Sequence, residues 1–194
     1  MKTDIILCGV GGQGILSIAT VIGEAATRTG LFLKQAEVHG MSQRGGDVQS
    51  NLRLSTDPIW SDLIPAGGAD LIISMEPMEA LRYLPYLSVK GRIITASAPF
   101  VNIPDYPDAA ALDAELSAIP GLVRLDIDAV AREAGNPKGA NMALLGAAAP
   151  YLGIIDPAKL REAVATIFAA KGEAVVDANR KAFDMGLAQG GKAE

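Results

Sequence analysis

The sequence predicts an α/β protein: a Rossmann-like open sheet flanked by helices, with a helical C-terminal section. Three observations predict it. Short apolar runs recur along the chain at Asp4–Cys8, Asp70–Met75 and Gly91–Ala96, each with the length and composition of a buried strand. Segments with helical spacing lie between them. A glycine-rich turn, GVGGQG at 9–14, joins the first strand to the first helix. The 194 residues suffice for one sizeable core. A single domain is expected over 1–190, with 191–194 as a frayed tail.

The elements follow in order. After DIILC and the glycine turn, ILSIATVIGEAATRTG has a helical apolar stripe and ends at Gly30. FLKQAEV reads as the second strand. VQSNLRLS, at 48–55, alternates in polarity and predicts a strand with one solvated face. DLIISM and GRIITA are buried strands, and MEALRYLPYL between them is a helix cut by Pro85. Pro99, Pro104 and Pro107 hold 98–108 as an extended loop. DAAALDAELSAI predicts a helix and GLVRLDI another strand. The remainder is helical: Asp126–Glu133, a turn at 136–139, then the small-residue run ANMALLGAAAPYLG. Asp156-Pro157 is an N-cap followed by proline at the first helical position, opening a helix with Leu160, Val164, Ile167 and Phe168 on one face. Val176, Phe183 and Leu187 supply the stripe of the last helix.

Composition narrows the function classes. The net charge of −5 leaves no whole-chain basic field, so no nucleic-acid partner is expected. Cys8 is the only cysteine and His39 the only histidine, so neither an intrachain disulfide nor a Cys- or His-cluster metal site is expected. No apolar run is long enough for a bilayer and the N-terminus does not read as a signal peptide, which predicts a cytoplasmic protein without membrane partners. Cys8 itself reads as a small core residue, and Met41, Met75 and Met78 as core packing or an apolar wall.

Two loops carry the chemistry. Gly9, Gly11 and Gly14 match G-x-G-x-x-G after a strand and before a helix, where unpaired N–H groups and the helix dipole favour an anion. Glu37 lies 23 positions beyond Gly14, near where a dinucleotide fold carries its ribose-binding acid. The first reading is therefore an NAD-binding domain; the plainer one is a turn that needs glycine for packing. Gly12 and Gln13 in the motif, and the run EVHGMSQRGG that follows Glu37 directly, argue against the NAD reading. In that second loop His39 is a candidate acid–base group or a structural hydrogen-bonding residue. Arg44, between Gln43 and Gly45-Gly46, presents a guanidinium fork suited to a carboxylate, phosphate or pyrophosphate, or to a surface acid. Asn141 and Asn179 sit on helices and read as helix-to-loop hydrogen-bonding residues.

Taken together, GVGGQG and EVHGMSQRGG-D-VQSNLRLS resemble the gamma-type domain of the 2-oxoacid:ferredoxin oxidoreductases, and the HGMSQRGG form resembles the small subunits of the indolepyruvate branch. NPKGANMALLGA and NRKAFDMG extend the likeness over nearly the whole chain. The resemblance implies a subunit of an enzyme that oxidatively decarboxylates an arylpyruvate with coenzyme A, giving an aryl-acetyl-CoA, CO2 and reduced ferredoxin. It implies thiamine diphosphate and iron–sulfur clusters on a large partner subunit, no tightly bound cofactor on this chain, and no activity for this chain alone. The positions it singles out as cofactor-facing are Gly9, Gly11, Gly12, Gln13 and Gly14, with Gln43, Arg44, Gly45 and Gly46; His39 and Arg44 are the candidates for a catalytic role. Coenzyme A is the candidate ligand. The alternatives are a free-standing NAD-binding oxidoreductase, or an assembly scaffold whose two loops meet the partner. A homodimer of the isolated chain is also open.

Overall fold

A computed structural model describes residues 1–39 and 45–191, and of His39 the backbone only. The expected positions Met41, Gln43 and Arg44, and the His39 side chain, lie outside the described residues. The strands are β1 (Lys2–Val10), β2 (Phe32–His39), β3 (Asp47–Ser55), β4 (Ala69–Ser74), β5 (Leu87–Ala96) and β6 (Val123–Leu125). The helices are α1 (Ile15–Arg28), α2 (Pro77–Arg82), α3 (Ala109–Ser117), α4 (Ile127–Glu133), α5 (Ala140–Ala148), α6 (Pro157–Phe168) and α7 (Glu173–Gly190). Pro85 falls in a separate 3-10 turn, Leu84–Tyr86, so the expected break after α2 is present.

The strands form one sheet in the order β2-β3-β1-β4-β5-β6. β1, β4, β5 and β6 are mutually parallel, while β3 runs antiparallel to both β1 and β2. The β2–β3 hairpin thus folds back so that β3, not β2, lies beside β1. The expectation of a solvated face on VQSNLRLS is corrected here. β3 is an interior strand, and Ser50, Asn51 and Ser55 are buried. Its polar side chains are inside because each has a partner. Gln35 Nε2 donates to Ser50 Oγ (3.1 Å), and the Ile64 N–H donates to Asn51 Oδ1 (3.2 Å). Arg53 donates to both oxygens of the fully buried Asp4, at 2.8 and 3.1 Å, and also to the carbonyls of Ser61 and Leu63. An ion pair so enclosed persists because its remaining polar capacity is met.

The alternation of side chains along the strands divides the core in two. Ile5, Leu7, Leu52, Leu54 and Ile73 point to the larger cluster, which includes residues of α1, α5, α6 and α7. Ile6, Cys8, Ile72 and Ile93 point to a smaller one with Ala80 and Tyr83. Asp108, Asp126 and Asp156 each accept a backbone N–H in the first turn of α3, α4 and α6, which fixes where these helices begin.

α5 and α7 meet backbone to backbone. A Cβ on Gly146 would run into the Phe183 carbonyl, one on Gly186 into the Ala143 carbonyl, and one on Gly190 into the Ala147 carbonyl. Phe183 fits the expected stripe of α7, but the glycines, not Val176 or Leu187, set the contact distance. Backbone atoms cannot step aside, so Gly186→Ala should lower stability by an amount at the upper end of the roughly 1–3 kcal/mol typical of overpacking. Thermal or denaturant unfolding of the variant measures it; an unchanged midpoint would contradict the packing.

Candidate functional site

The site forms at the C-terminal ends of the parallel strands, beside β1 and β4. The chain leaves β1 toward β2 on one side and enters β4, β5 and β6 on the other, so this is the point at which strand order reverses. Open α/β sheets bind ligands in such crevices. The glycine loop after β1 is shaped by its own side chains. Gln13 Oε1 accepts the Val10 N–H at 2.7 Å, and Gln13 Nε2 donates to the Met75 carbonyl after β4 at 3.3 Å. Gln13 therefore spends both ends of its amide on closing the loop. Gly9 has no room for a side chain: an added Cβ would lie 2.8 Å from Gln13 Oε1 and 3.0 Å from Met75 Cβ. Gly12 and Gly14 adopt φ of 101° and 85°, which disfavours any L side chain. Asn141 Nδ2 donates to the Gly14 carbonyl at 3.2 Å, tying α5 to the start of α1. Asn179 donates to Val175 O and accepts from Asn136, so both asparagines have the helix-to-loop roles expected of them.

The two loops singled out in the sequence come together. Gly11 N–H donates to the Gly46 carbonyl at 2.8 Å, and Gly45 N–H donates to the Gly11 carbonyl at 3.3 Å. Glu37 is not brought to the glycine loop in the way a dinucleotide site requires. It is exposed on β2, paired with Ser50 of β3, and so stands two strand spacings, about 10 Å, from β1.

A cleft of about 510 Å3 opens beside the glycine loop. Gly12, Gln13 and Gly14 form one wall; Met75, Phe100 and Ile127 give it an apolar lining; Lys138, Asp128 and Asn141 give it polar atoms. Two helices start at its edge. Gly14 is the N-cap of α1 and Gly139 that of α5, so neither N-cap offers a side chain, and neither helix has an acidic residue in its first turn. Their N-terminal dipole ends and the Lys138 ammonium favour an anion, while the Asp128 carboxylate in the same lining opposes it.

Several residues that shape this region were not singled out from the sequence. Glu76 is fully buried at the N-terminus of α2, where its Oε2 accepts the Glu79 N–H at 2.9 Å. Its Oε1 accepts the Phe100 N–H at 3.2 Å and the Tyr106 hydroxyl, anchoring the proline-rich loop. That loop reaches the RGG segment as well: Asn102 Nδ2 donates to the Gly45 carbonyl at 2.9 Å. Behind the loops, the Tyr83 hydroxyl donates to Asp47 Oδ2 at 2.7 Å, and Arg82 pairs with the buried Glu79. Burial, with Asp47 at hydrogen-bond distance, pushes the Tyr83 hydroxyl well above the usual tyrosine range. Burial first, and then Glu76, does the same for Tyr106. Both phenols thus remain proton donors to their carboxylates. Burial also raises the Cys8 thiol far above the usual range, and Cys8 is the inert core residue expected. Only an acid two residues after a strand and followed by proline, as in Ser74-Met75-Glu76-Pro77, hinted at Glu76, as a helix cap.

A family model described as pyruvate ferredoxin/flavodoxin oxidoreductase matches residues 4–189. The chain belongs to this family. Among its relatives is the indolepyruvate oxidoreductase subunit IorB of Pyrococcus horikoshii, 35% identical over 193 residues, covering 95% of this chain and 94% of that one. The IorB subunit of Methanothermobacter thermautotrophicus is 34% identical, with 96% and 97% covered. The gamma subunit of a keto/oxoacid ferredoxin oxidoreductase from Geobacter sulfurreducens superposes with a TM-score of 0.71 at 25% identity, over 98% of this chain and 99% of that one. A 2-oxoglutarate:ferredoxin oxidoreductase from Magnetococcus marinus, solved with 2-oxoglutarate, coenzyme A and succinyl-CoA bound, superposes with a TM-score of 0.76 at 21% identity. This chain matches 31% of that one, and the likeness is one of fold. The resemblance read from the two loops and the two later motifs is thus a kinship over residues 4–189, and the sheet flanked by helices with a C-terminal helix is the fold of the family's gamma subunits.

Glu76→Ala removes an N-cap and leaves the Phe100 N–H and the Tyr106 hydroxyl without their acceptor. The expected outcome is a loss of roughly 3 kcal/mol and faster proteolytic cleavage within 98–108. Limited proteolysis and denaturant unfolding read both; a variant as resistant as the parent would show that Glu76 does not hold the loop.

Proposed function

We propose that this chain is the small subunit of a cytoplasmic indolepyruvate, or arylpyruvate, ferredoxin oxidoreductase. It supports CoA-dependent oxidative decarboxylation to an aryl-acetyl-CoA with reduction of ferredoxin, and it is inactive alone. The observation that carries the reading is the cleft beside the glycine loop, with two helix starts and Lys138 at its edge. Kinship with IorB subunits supports the choice of substrate class.

The chain's own donors suit some of the enzyme's groups and not others. With one cysteine in the sequence, and no cluster of three His, Cys, Asp or Glu side chains among the described residues, it is not built to ligate an iron–sulfur cluster. Those clusters, and thiamine diphosphate, which supplies the carbanion chemistry, belong on the large subunit. The cleft does suit a phosphate-bearing chain such as coenzyme A. The starts of α1 and α5 and Lys138 face the phosphates, and Met75, Phe100 and Ile127 offer an apolar wall to the rest. Gly9, Gly11, Gly12 and Gly14 let the backbone approach closely. Gln13 holds that backbone in shape. Gln43, Arg44, Gly45 and Gly46 are the further candidate ligand contacts, with Arg44 as the candidate second cation and His39 as the candidate proton-transfer group.

The test is steady-state kinetics of the complex reconstituted with its large subunit. Lys138→Ala should raise KM for coenzyme A about tenfold, or ~1.4 kcal/mol, and leave KM for the arylpyruvate unchanged; Arg44→Ala should act in the same direction. If both variants leave both constants unchanged and weaken only assembly, the loops serve a subunit interface instead. Titration of the isolated chain with NADH should show no binding, because Glu37 lies one strand too far from the glycine loop. Micromolar affinity would restore the NAD reading.

A further inference from the structure

Asp47 is the first residue of β3 and follows Gly46 directly, so its position fixes the junction where the two glycine loops meet. Its carboxylate is met from α2. The Tyr83 hydroxyl donates to Asp47 Oδ2 at 2.7 Å. Glu79 stands one turn before Tyr83, on the same side of the helix. Its side chain lies at hydrogen-bonding distance from the Asp47 carboxyl. Glu79 is 1% exposed, so it has no route to water for its charge. Arg82 donates to both its oxygens, at 2.7 and 3.3 Å. Asp47 and Glu79 thus put two carboxyl groups in contact, an arrangement in which two negative charges repel strongly.

The groups around the pair do not remove the conflict. Glu76, the N-cap of α2, is a third buried acid, and its carboxylate is already engaged by the Glu79 and Phe100 N–H groups and the Tyr106 hydroxyl. Cys8 of β1 lies near all three acids, with burial keeping its thiol neutral. On α3, which also packs against α2, Asp113 is paired with Arg124. Among the described residues Arg82 is therefore the one cation paired within the group of Asp47, Glu76 and Glu79. Burial, opposed by Arg82 and reinforced by the Asp47 carboxylate, raises the Glu79 carboxyl above the ordinary carboxylate range. A proton held in common turns the repulsion into a hydrogen bond and belongs to the pair rather than to either residue. Removing it restores two like charges. Asp47 is then the partner that yields, because it is exposed at a strand end while Glu79 is held by Arg82 and its helix. We propose that Asp47 and Glu79 share one proton, and that this proton latches the Gly46–Asp47 junction against the first glycine loop. The latch is closed at acidic pH and loosens as pH rises. A carboxyl raised in the folded protein contributes fully below the ordinary carboxylate range, and that contribution is lost as pH climbs through the raised value.

The experiment is hydrogen exchange on the full chain, corrected for the intrinsic rate at each pH. The Gly11 and Gly45 amides make the rung between the loops. Their protection should fall about tenfold from about pH 5 to about pH 8, while the amides of α7 keep theirs. Glu79→Gln and, independently, Asp47→Asn each keep a polar contact but leave only one group that can ionise, so each should abolish the pH dependence. The proposal is overturned by a parent chain whose loop protection does not change with pH, or by an amide variant that keeps the parent's profile. It is equally overturned if α7 loses protection in step with the loops, which would report unfolding of the whole domain. If a variant fails to fold, the parent's profile decides. None of these outcomes depends on whether the cleft takes coenzyme A.

Discussion

The site rests on a backbone contact no larger than two hydrogen bonds. Gly11 and the Gly45-Gly46 pair exchange N–H and carbonyl groups just past the last β1–β3 ladder pair, Val10↔Asp47. They prolong that ladder by one rung into the loops. This is possible only because β3 is inserted beside β1. Were β2 the neighbour of β1, as in the dinucleotide-binding arrangement, the acid of the second strand would face the glycine loop and the RGG segment would sit elsewhere. One change of strand order thus trades a ribose-binding acid for a second glycine loop.

The surrounding polar residues keep that rung in place. Glu76 pins the proline-rich loop at its base and Asn102 pins it to Gly45 near its middle. Tyr83 holds Asp47, the first residue of β3, from below. Gln13 and Asn141 hold the glycine loop from its two ends. Three connecting loops are therefore cross-linked by side chains whose polar groups are nearly all used internally. What remains at the cleft is the start of α1, the N–H groups of the α5 start other than that of Met142, which Asn141 Oδ1 accepts, and the Lys138 and Asp128 side chains, which is where a ligand would gain its polar contacts.

Much of this was legible in the chain. The capping aspartates, Gly30, Pro85 and the 98–108 prolines mark element ends by local chemistry, and local chemistry is what a sequence displays. The kinship of the two loops was legible because glycine is needed wherever backbones approach. The interior position of β3 was not, since Asn51 and Arg53 alternate with Leu52 and Leu54 as in a half-solvated strand, and Ser50 is as small and polar as a surface residue. They are buried by partners at a distance in sequence: Gln35, the Ile64 N–H and Asp4. Glu76 was missed for the same reason. A carboxylate whose ordinary place is in water is inside because two loop donors arrive from more than 20 residues away. The direct contact of α5 with α7 was hidden because Gly146, Gly186 and Gly190 sit amid ordinary helix formers.

That contact has a consequence for the ends of the molecule. The last turn of α7 is seated on α5, with Gly190 against Ala147 and its carbonyl accepting the Tyr151 hydroxyl at 2.9 Å. α5 in turn begins at the cleft, where Asn141 grips Gly14. The C-terminal helix therefore acts as a splint for a loop at the other end of the chain. Trimming it would loosen the glycine-rich turn without touching a single residue of that turn. A fusion joined directly after Gly191 would start from a packed helix end, whereas the N-terminal Met1 stands 75% exposed and offers the gentler point of attachment.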